Sequence, residues 1–289
     1  MSRPQSRLLQ TARVAFLITW TLLIAFPLYW TITMALKPKS EWTGTTWFPS
    51  KLEWSNFAEV LIPGYGDDGL SFIETPIKDA LGPLKDSLVI SVGGTLLAVI
   101  LGTAAAYAIS RYRFGGSLLP FNILSVRMFP PIAAIIPLMV MFSTVQLVDS
   151  YVALILVYGG LTAPYAVWLT KSFIDDLPRE LEEASMLDGN TRLGALTKVT
   201  LPLIAGSVAT TALFVFIVIW SDFVIAFTLG GTNVEAVSVR IASLTSATQG
   251  QLYGPQAALG LIAALPAIVL GLSIQKYLAR GLTFGAVKR

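Results

Sequence analysis

The stretch EEASMLDGNTRLGALTKVTLP, Glu182–Pro202, is a mostly polar segment in the second half of a strongly apolar chain. Of the 289 residues, 54% are hydrophobic and 13% are charged, about half the charged fraction of typical globular proteins. Apolar runs of about 20 residues, the length of a membrane-spanning helix, lie on both sides of it. A chain that only turned back into the membrane would need a shorter loop. The segment therefore predicts a role outside the lipid.

The apolar runs predict six membrane-spanning helices, because a helix satisfies its own backbone hydrogen bonds in lipid. The third contains Pro130, Pro131 and Pro137, which should bend it. The first is too long for a signal peptide and no cleavage site follows it, so it is expected to remain uncleaved. The expected spans are Val14–Leu36, Ser87–Ser110, Leu118–Val145, Val152–Phe173, Leu203–Gly230 and Ala257–Leu278.

Lys and Arg are distributed unevenly between the connections, with thirteen on one side and five on the other. Because cytoplasmic loops carry the excess of Lys and Arg, both termini are expected in the cytoplasm.

The connection between the first two predicted spans, the outer loop at 37–84, has three Trp and seven acidic residues. It either contacts a soluble partner or caps the helix bundle. The expected parts are the N-terminus with the first span at 1–36, the outer loop at 37–84, a five-helix core at 85–278 with a cytoplasmic loop at 174–202, and a tail at 279–289.

Composition excludes several chemistries. The chain has no Cys and no His, which removes thiolate nucleophiles, disulfides and the commonest metal ligands, so no catalytic, metal or cofactor-binding residue is expected. The net charge of +3 comes from basic residues that flank apolar runs, which is typical of membrane anchors rather than of nucleic-acid binding. Gly189 and Gly194 have the glycine spacing of a phosphate-binding loop, but Ala-Leu follows where Lys-Ser or Lys-Thr is needed.

The polar loop itself predicts two short helices around a turn. Pro178 suits the first turn of a helix, Gly189 suits the position that ends it, and Thr191 can cap a second helix. Six acidic residues lie between Asp175 and Asp188, with Arg179 as the only basic one. An acidic helix beside an anionic membrane surface is poorly suited to lipid, so a protein partner is expected.

The loop resembles the EAA signature of permease subunits in binding-protein-dependent ABC importers. Ser185 stands where the signature has its second Ala, and the residues of the coupling loop are then Glu182, Glu183, Ala184, Ser185, Asp188, Gly189, Leu201 and Pro202. The segment AYAISRYRFGG after the second span is similar to another segment of this family. The C-terminal ARGLTFGAVKR is similar to the ending of carbohydrate permeases of the maltose and maltodextrin class.

This resemblance implies an all-α integral membrane protein with the six-helix type I importer fold, in the cytoplasmic membrane of a bacterium or archaeon. It implies that the loop forms a coupling helix that docks in a cleft of a separate ATPase. The implied partners are a second homologous permease, two ATP-binding subunits that carry ATP and Mg, an extracytoplasmic solute-binding protein, and lipid. The alternative is a stand-alone secondary transporter, which would need internal repeats and coupling carboxylates in its spans.

Arg127 and Asp222 are charges well inside the predicted spans, where charges are costly and usually functional or paired. They either pair with each other between helices or line a sugar path, since both side chains form directional hydrogen bonds with hydroxyl-rich ligands. Trp220 precedes Asp222 in WSDF, which resembles a WN-D/E-F segment of the family with Ser221 in place of Asn. Its ring either stacks on a sugar or packs in the core.

Overall fold

The structure is a computed structural model that describes residues 7–62, 80–246 and 250–285. The chain forms two compact units, residues 1–80 with 241–264 and residues 81–240 with 265–289. Of the predicted outer loop, residues 63–79, with four of its seven acidic residues, lie outside the described residues, as do the chain ends 1–6 and 286–289.

Helices account for nearly all regular structure in the described ranges. The exception is an antiparallel hairpin of two short strands, β1 (Thr245–Ser246) and β2 (Gly250–Gln251). The helices are α1 (Arg7–Ala35), α2 (Ser55–Leu61), α3 (Leu81–Tyr112), α4 (Leu119–Ser125), α5 (Pro131–Thr144), α6 (Tyr151–Asp175), α7 (Glu180–Leu187), α8 (Arg192–Ala195), α9 (Leu201–Leu203), α10 (Ala205–Trp220), α11 (Val224–Leu229), α12 (Val237–Ser243) and α13 (Tyr253–Gly285). Short 3-10 turns cover Lys39–Glu41 and Val126–Met128, and a π turn covers Leu196–Thr200.

The first unit is held together by hydrogen bonds to backbone carbonyls at the C-terminal end of α1 and just after it. The buried Asn56 amide donates to the carbonyls of Ala35 and Lys37, at 2.9 and 3.0 Å. The Trp42 indole also donates to the Lys37 carbonyl, at 3.1 Å. These bonds satisfy carbonyls that the end of a helix leaves without intrahelical partners. The apolar window of α1 is not buried by the rest of the chain, as expected for a helix that meets lipid or another subunit.

The second unit is built on the close packing of α3 against α6. A Cβ atom placed on Gly102 would lie 2.4 Å from the Cβ of Ala166 and 2.9 Å from the backbone nitrogen of Val167. Small residues at such a crossing let two helices approach closely, which is a usual way to pack helices in membranes. α10 packs on both helices and completes a core that contains Ile90, Leu154 and Val215.

Within the described ranges, four uninterrupted helices are long and apolar enough to cross a membrane, and two bent pairs raise the number to six. The third predicted span is bent by 90°, between Met128 and Ile132. This confirms the bend that its prolines predict. The fold class is as expected, a helical multi-pass protein, and the part of the chain that the structure describes adds one short hairpin.

The fifth span is not the single helix Leu203–Gly230 that its apolar run predicts. α10 ends at Trp220 and α11 begins at Val224. The chain can break here because the Asp222 carboxylate accepts a hydrogen bond from the Ile225 backbone N–H, at 2.9 Å. A side chain thus replaces the backbone partner that a continuous helix would supply. α10 also meets the preceding segment, Arg192–Leu203, at a bend of 79°.

The connection between α11 and α12 is fixed to the second unit by carboxylates. Asp149 accepts hydrogen bonds from the backbone N–H groups of Asn233 and Val234, both at 2.9 Å, and Asp86 accepts one from Glu235 at 3.1 Å. Burial raises the pKa of the Glu235 carboxyl, and the nearby Arg240 guanidinium opposes that shift. This connection is therefore an ordered part of the second unit.

We expect Gly102→Ala to destabilise the chain by about 1–3 kcal/mol, because the added methyl group meets backbone that cannot move away. Gly160→Ala on α6 is the matched control, since nothing lies within 4 Å of the added methyl group. Unfolding in detergent, followed by circular dichroism, measures both. Equal stability of the two variants would contradict the close crossing.

Candidate functional site

The polar loop forms two helices around a glycine turn, as the sequence predicts, although Pro178 precedes the first helix instead of lying in its first turn. α7 ends at Leu187, and Gly189 has a φ of +88°, a left-handed conformation that favours glycine. The N–H groups of Gly189 and Asn190 donate back to the carbonyls of Met186 and Ser185, which is the usual closure of a helix at glycine. The Thr191 hydroxyl accepts from the Gly194 N–H at 3.1 Å, as its predicted capping position requires.

The first acidic residue of the signature region, Glu182, is buried and binds three donors. Its carboxylate accepts from the Arg111 Nε at 2.8 Å, from the Thr200 hydroxyl at 2.8 Å and from the Tyr107 hydroxyl at 2.9 Å. The Glu182 and Arg111 side chains are each 7% exposed. A buried carboxylate needs this number of partners to offset its lost hydration. The contacts join α7 to the end of α3 and to the π turn before α9.

Further hydrogen bonds strengthen the same junction. Arg111 also donates to the Leu177 carbonyl at 3.2 Å, and Arg179 donates to the Ser110 carbonyl at 3.1 Å. The Ser110 hydroxyl donates to the Asp175 carboxylate at the end of α6. The C-terminal ends of α3 and α6 and the beginning of the loop are thus cross-linked by side chains.

Sequence reasoning did not predict this network. It placed Tyr107 and Arg111 in the segment AYAISRYRFGG, on the same predicted side of the membrane as the loop, but assigned them no partner. The excess of acidic residues in the loop could have indicated it, because a loop carboxylate that becomes buried needs a basic partner from another part of the chain.

The opposite face of the loop is exposed. Glu183, Ala184, Asp188 and Gly189 are exposed, and the Leu187 side chain is 89% exposed. Leu181 and Met186 of α7 are exposed as well, so the outer surface of this helix carries both acidic and apolar side chains. Ser185 is buried and its hydroxyl accepts from the Asn190 amide at 3.1 Å, while Leu201 and Pro202 begin α9.

Arg127 and Asp222 do not form the interhelix pair that was one of the two expectations for them. Arg127 donates to the Leu161 carbonyl at 3.1 Å and lies over the Tyr165 ring at 4.6 Å. Asp222 instead accepts from the Tyr158 hydroxyl at 2.8 Å. Each charged side chain has a different partner on α6, because this helix places the Leu161 carbonyl and two tyrosine side chains within reach.

Trp220 is only 8% exposed and stacks on Phe216 with ring centroids 5.5 Å apart. Its position is that of a packing residue. Among the described residues, no group of three or more Asp and Glu side chains lies close enough to hold a metal ion.

Residues 94–284 match the family described as binding-protein-dependent transport system inner membrane component. The chain belongs to this family. The permease is 33% identical over 274 residues to the trehalose/maltose transport system permease protein MalG of Thermococcus litoralis, with 94% of each chain covered. It is also 33% identical to the trehalose transport system permease protein SugB of Mycobacterium tuberculosis, over 91% of this chain and 92% of that relative.

A solved structure of a bacterial ABC transporter involved in the import of the acidic polysaccharide alginate has the same fold. The TM-score is 0.74 at 18% identity, over 96% of the permease and 99% of that chain. The similarity confirms the type I importer fold expected from the sequence. Neither these relatives nor this structure supports the alternative of a stand-alone secondary transporter.

We expect Glu182→Ala to destabilise the permease by about 3–5 kcal/mol, because it leaves the Arg111 charge buried without its partner. Glu183→Ala is the matched control, and should change stability by less than about 0.5 kcal/mol since that side chain is exposed. Unfolding of the purified chain in detergent tests both. Similar losses for the two neighbours would contradict the assignment of Glu182 as the buried anchor.

The contacts of Asp222 give a second prediction. A double-mutant cycle of Tyr158→Phe and Asp222→Ala should show a coupling free energy of about 0.6–1.7 kcal/mol, the range for hydrogen bonds between membrane helices. A cycle of Arg127→Gln and Asp222→Ala should be additive within about 0.5 kcal/mol, because the two side chains share no partner. Strong coupling in the second cycle would show that Arg127 and Asp222 interact after all.

Proposed function

We propose that the permease is the translocation subunit of an ATP-driven importer for a sugar or sugar-like solute. The observation that carries the proposal is the division of the loop into a buried anchor, Glu182, and an exposed face with Glu183, Ala184, Asp188 and Gly189. Relatives named for trehalose, maltose and maltodextrin support the substrate class. ATP and Mg are held by two partner ATPase subunits, since the chain has no phosphate-binding loop.

The distribution of basic residues supports an orientation with both termini and the loop in the cytoplasm. In this orientation α7 meets the ATPase, and the connection after α11 faces an extracytoplasmic solute-binding protein. A second, homologous permease completes the pathway, because one chain of six helices does not enclose a polar passage alone. The exposed apolar surface of α1 is consistent with such a partner or with lipid.

The loop transmits motion through its buried contacts. When the ATPase subunits close on ATP, they displace α7 from its exposed side. α7 cannot slide away from α3 without breaking the pair between Glu182 and Arg111, at a cost of several kcal/mol. The ends of α3 and α6 therefore follow α7, and the close crossing at Gly102 carries the movement into the membrane.

Arg127 is the residue that we assign to the solute path. Its Nε is buried without a hydrogen-bond partner, and its guanidinium lies over Tyr165, so a donor and an aromatic face lie side by side. Sugars bind to both kinds of group through hydrogen bonds and ring stacking. Asp222 and Trp220 have structural roles. Asp222 accepts a backbone hydrogen bond at the break in the fifth span, and Trp220 packs against Phe216.

We expect Glu183→Lys with Leu187→Arg to weaken co-purification of the ATPase subunits at least tenfold, because charges then enter a docking interface. Solute uptake in vesicles should fall with it. Leu52→Arg is the matched control, since this leucine is also exposed but lies in the predicted outer loop. ATPase retention at the control level in the doubly substituted permease would refute docking at α7, and uptake by the lone chain without ATP would favour a secondary transporter.

A further inference from the structure

A basic cavity of about 530 Å³ lies in the second unit, at the beginning of the polar loop and separate from the exposed face of α7. It is lined by the ends of α3 and α6, by the connection that leads into α4 and by Arg179, which precedes α7. Its polar lining consists of Ser110, Arg113, Ser117, Lys171, Asp175 and Arg179. Ser110, Asp175 and Arg179 also belong to the junction described above, whereas Arg113, Ser117 and Gly116 do not.

Three cations and one carboxylate give the cavity an excess of positive charge. The Lys171 ammonium pairs with Asp175, and Arg179 uses one N–H on the Ser110 carbonyl. A guanidinium has five N–H donors and an ammonium three, so both retain donors for a further ligand. The charge of Arg113 has no carboxylate in the lining left to neutralise it.

The backbone around Arg113 is held in an unusual conformation. Arg113 has a φ of +52°, in the left-handed region that L-residues rarely adopt, and Gly115 and Gly116 follow with φ of +74° and +72°. A Cβ atom on Gly115 would lie 2.2 Å from the Leu119 side chain, so the turn depends on that glycine. Strain of this kind is typical of a residue whose position serves a ligand.

The surroundings of the cavity are apolar and exposed. Phe114, Leu118 and Phe121, in or beside the connection that lines it, are 65–69% exposed. Trp168, one helical turn before Lys171 on α6, is 52% exposed. A tryptophan near basic side chains, as Trp168 is near Lys171, is typical of the headgroup level of a membrane.

We infer that this cavity binds a phosphate group, and that an anionic phospholipid of the leaflet next to the loop carries it. Arg and Lys bind phosphate oxygens through charge-assisted hydrogen bonds, which the Ser110 and Ser117 hydroxyls can supplement. The exposed aromatic and aliphatic side chains beside the cavity favour the acyl chains of a lipid over a soluble phosphate. The lipid would hold the ends of α3 and α6 together from the membrane side.

The test is native mass spectrometry of the purified, delipidated full-length chain. Phosphatidylglycerol is compared with phosphatidylcholine of the same acyl chains, and inorganic phosphate is added in a separate series. The variant is Arg113→Asn with Lys171→Gln, because Asn tolerates the left-handed backbone of position 113. Arg13→Gln, an exposed arginine on the same predicted side of the membrane, is the control for loss of charge.

We expect the wild-type chain to prefer phosphatidylglycerol, and the double variant to bind it roughly thirtyfold more weakly, as removal of two basic groups near an anionic headgroup implies. Arg13→Gln should change the affinity by less than about threefold. If the double variant does not fold, the single variant Arg113→Asn should still show a loss of roughly fivefold.

These binding measurements distinguish the two possible sources of the phosphate group, a phospholipid and inorganic phosphate. Inorganic phosphate that binds the wild type and not the variant, without a preference between the lipids, would support the phosphate site and overturn the lipid carrier. Equal binding of every ligand to the wild type and the variant would overturn the site itself. The assay needs neither ATPase nor transport, so its result is independent of the proposed function.

Discussion

The attachment of the polar loop to the helices of the second unit depends on one buried ion pair, between Glu182 of α7 and Arg111 of α3. Such a pair is stable only if the remaining lone pairs of the carboxylate are satisfied, and the Tyr107 and Thr200 hydroxyls do this. The four residues come from three separate segments of the chain. The polar loop would be placed at the periphery from its sequence alone. Through these contacts, it contributes side chains to the interior of the protein.

Much of the fold could be predicted because its signals are local. Apolar length predicts the spans, and the turn at Gly189 and the cap at Thr191 follow from the conformations that those residue types prefer. The partner of Glu182 could not be predicted in this way, since Arg111 lies 71 residues earlier. The break after Trp220 was missed because an apolar run there contains neither proline nor glycine to interrupt it.

The membrane interior shows why two rare opposite charges need not pair. Arg127 and Asp222 each find neutral partners on α6, where the Tyr158 hydroxyl and the Leu161 carbonyl are within hydrogen-bond distance. In lipid, where water is absent, an available dipole is a sufficient partner for a charge if it is close and well oriented. α6 thus supplies polar partners to the charged side chains of two predicted spans.

Glu182 and Glu183 are adjacent in sequence, yet one is buried and the other is exposed. Successive residues of an α-helix point about 100° apart, so one short helix presents both faces at once. Selection can therefore act on the two faces separately. Under the proposed function, the outer residues can diverge until the permease accepts a different ATPase, while the inner ones keep the fold unchanged.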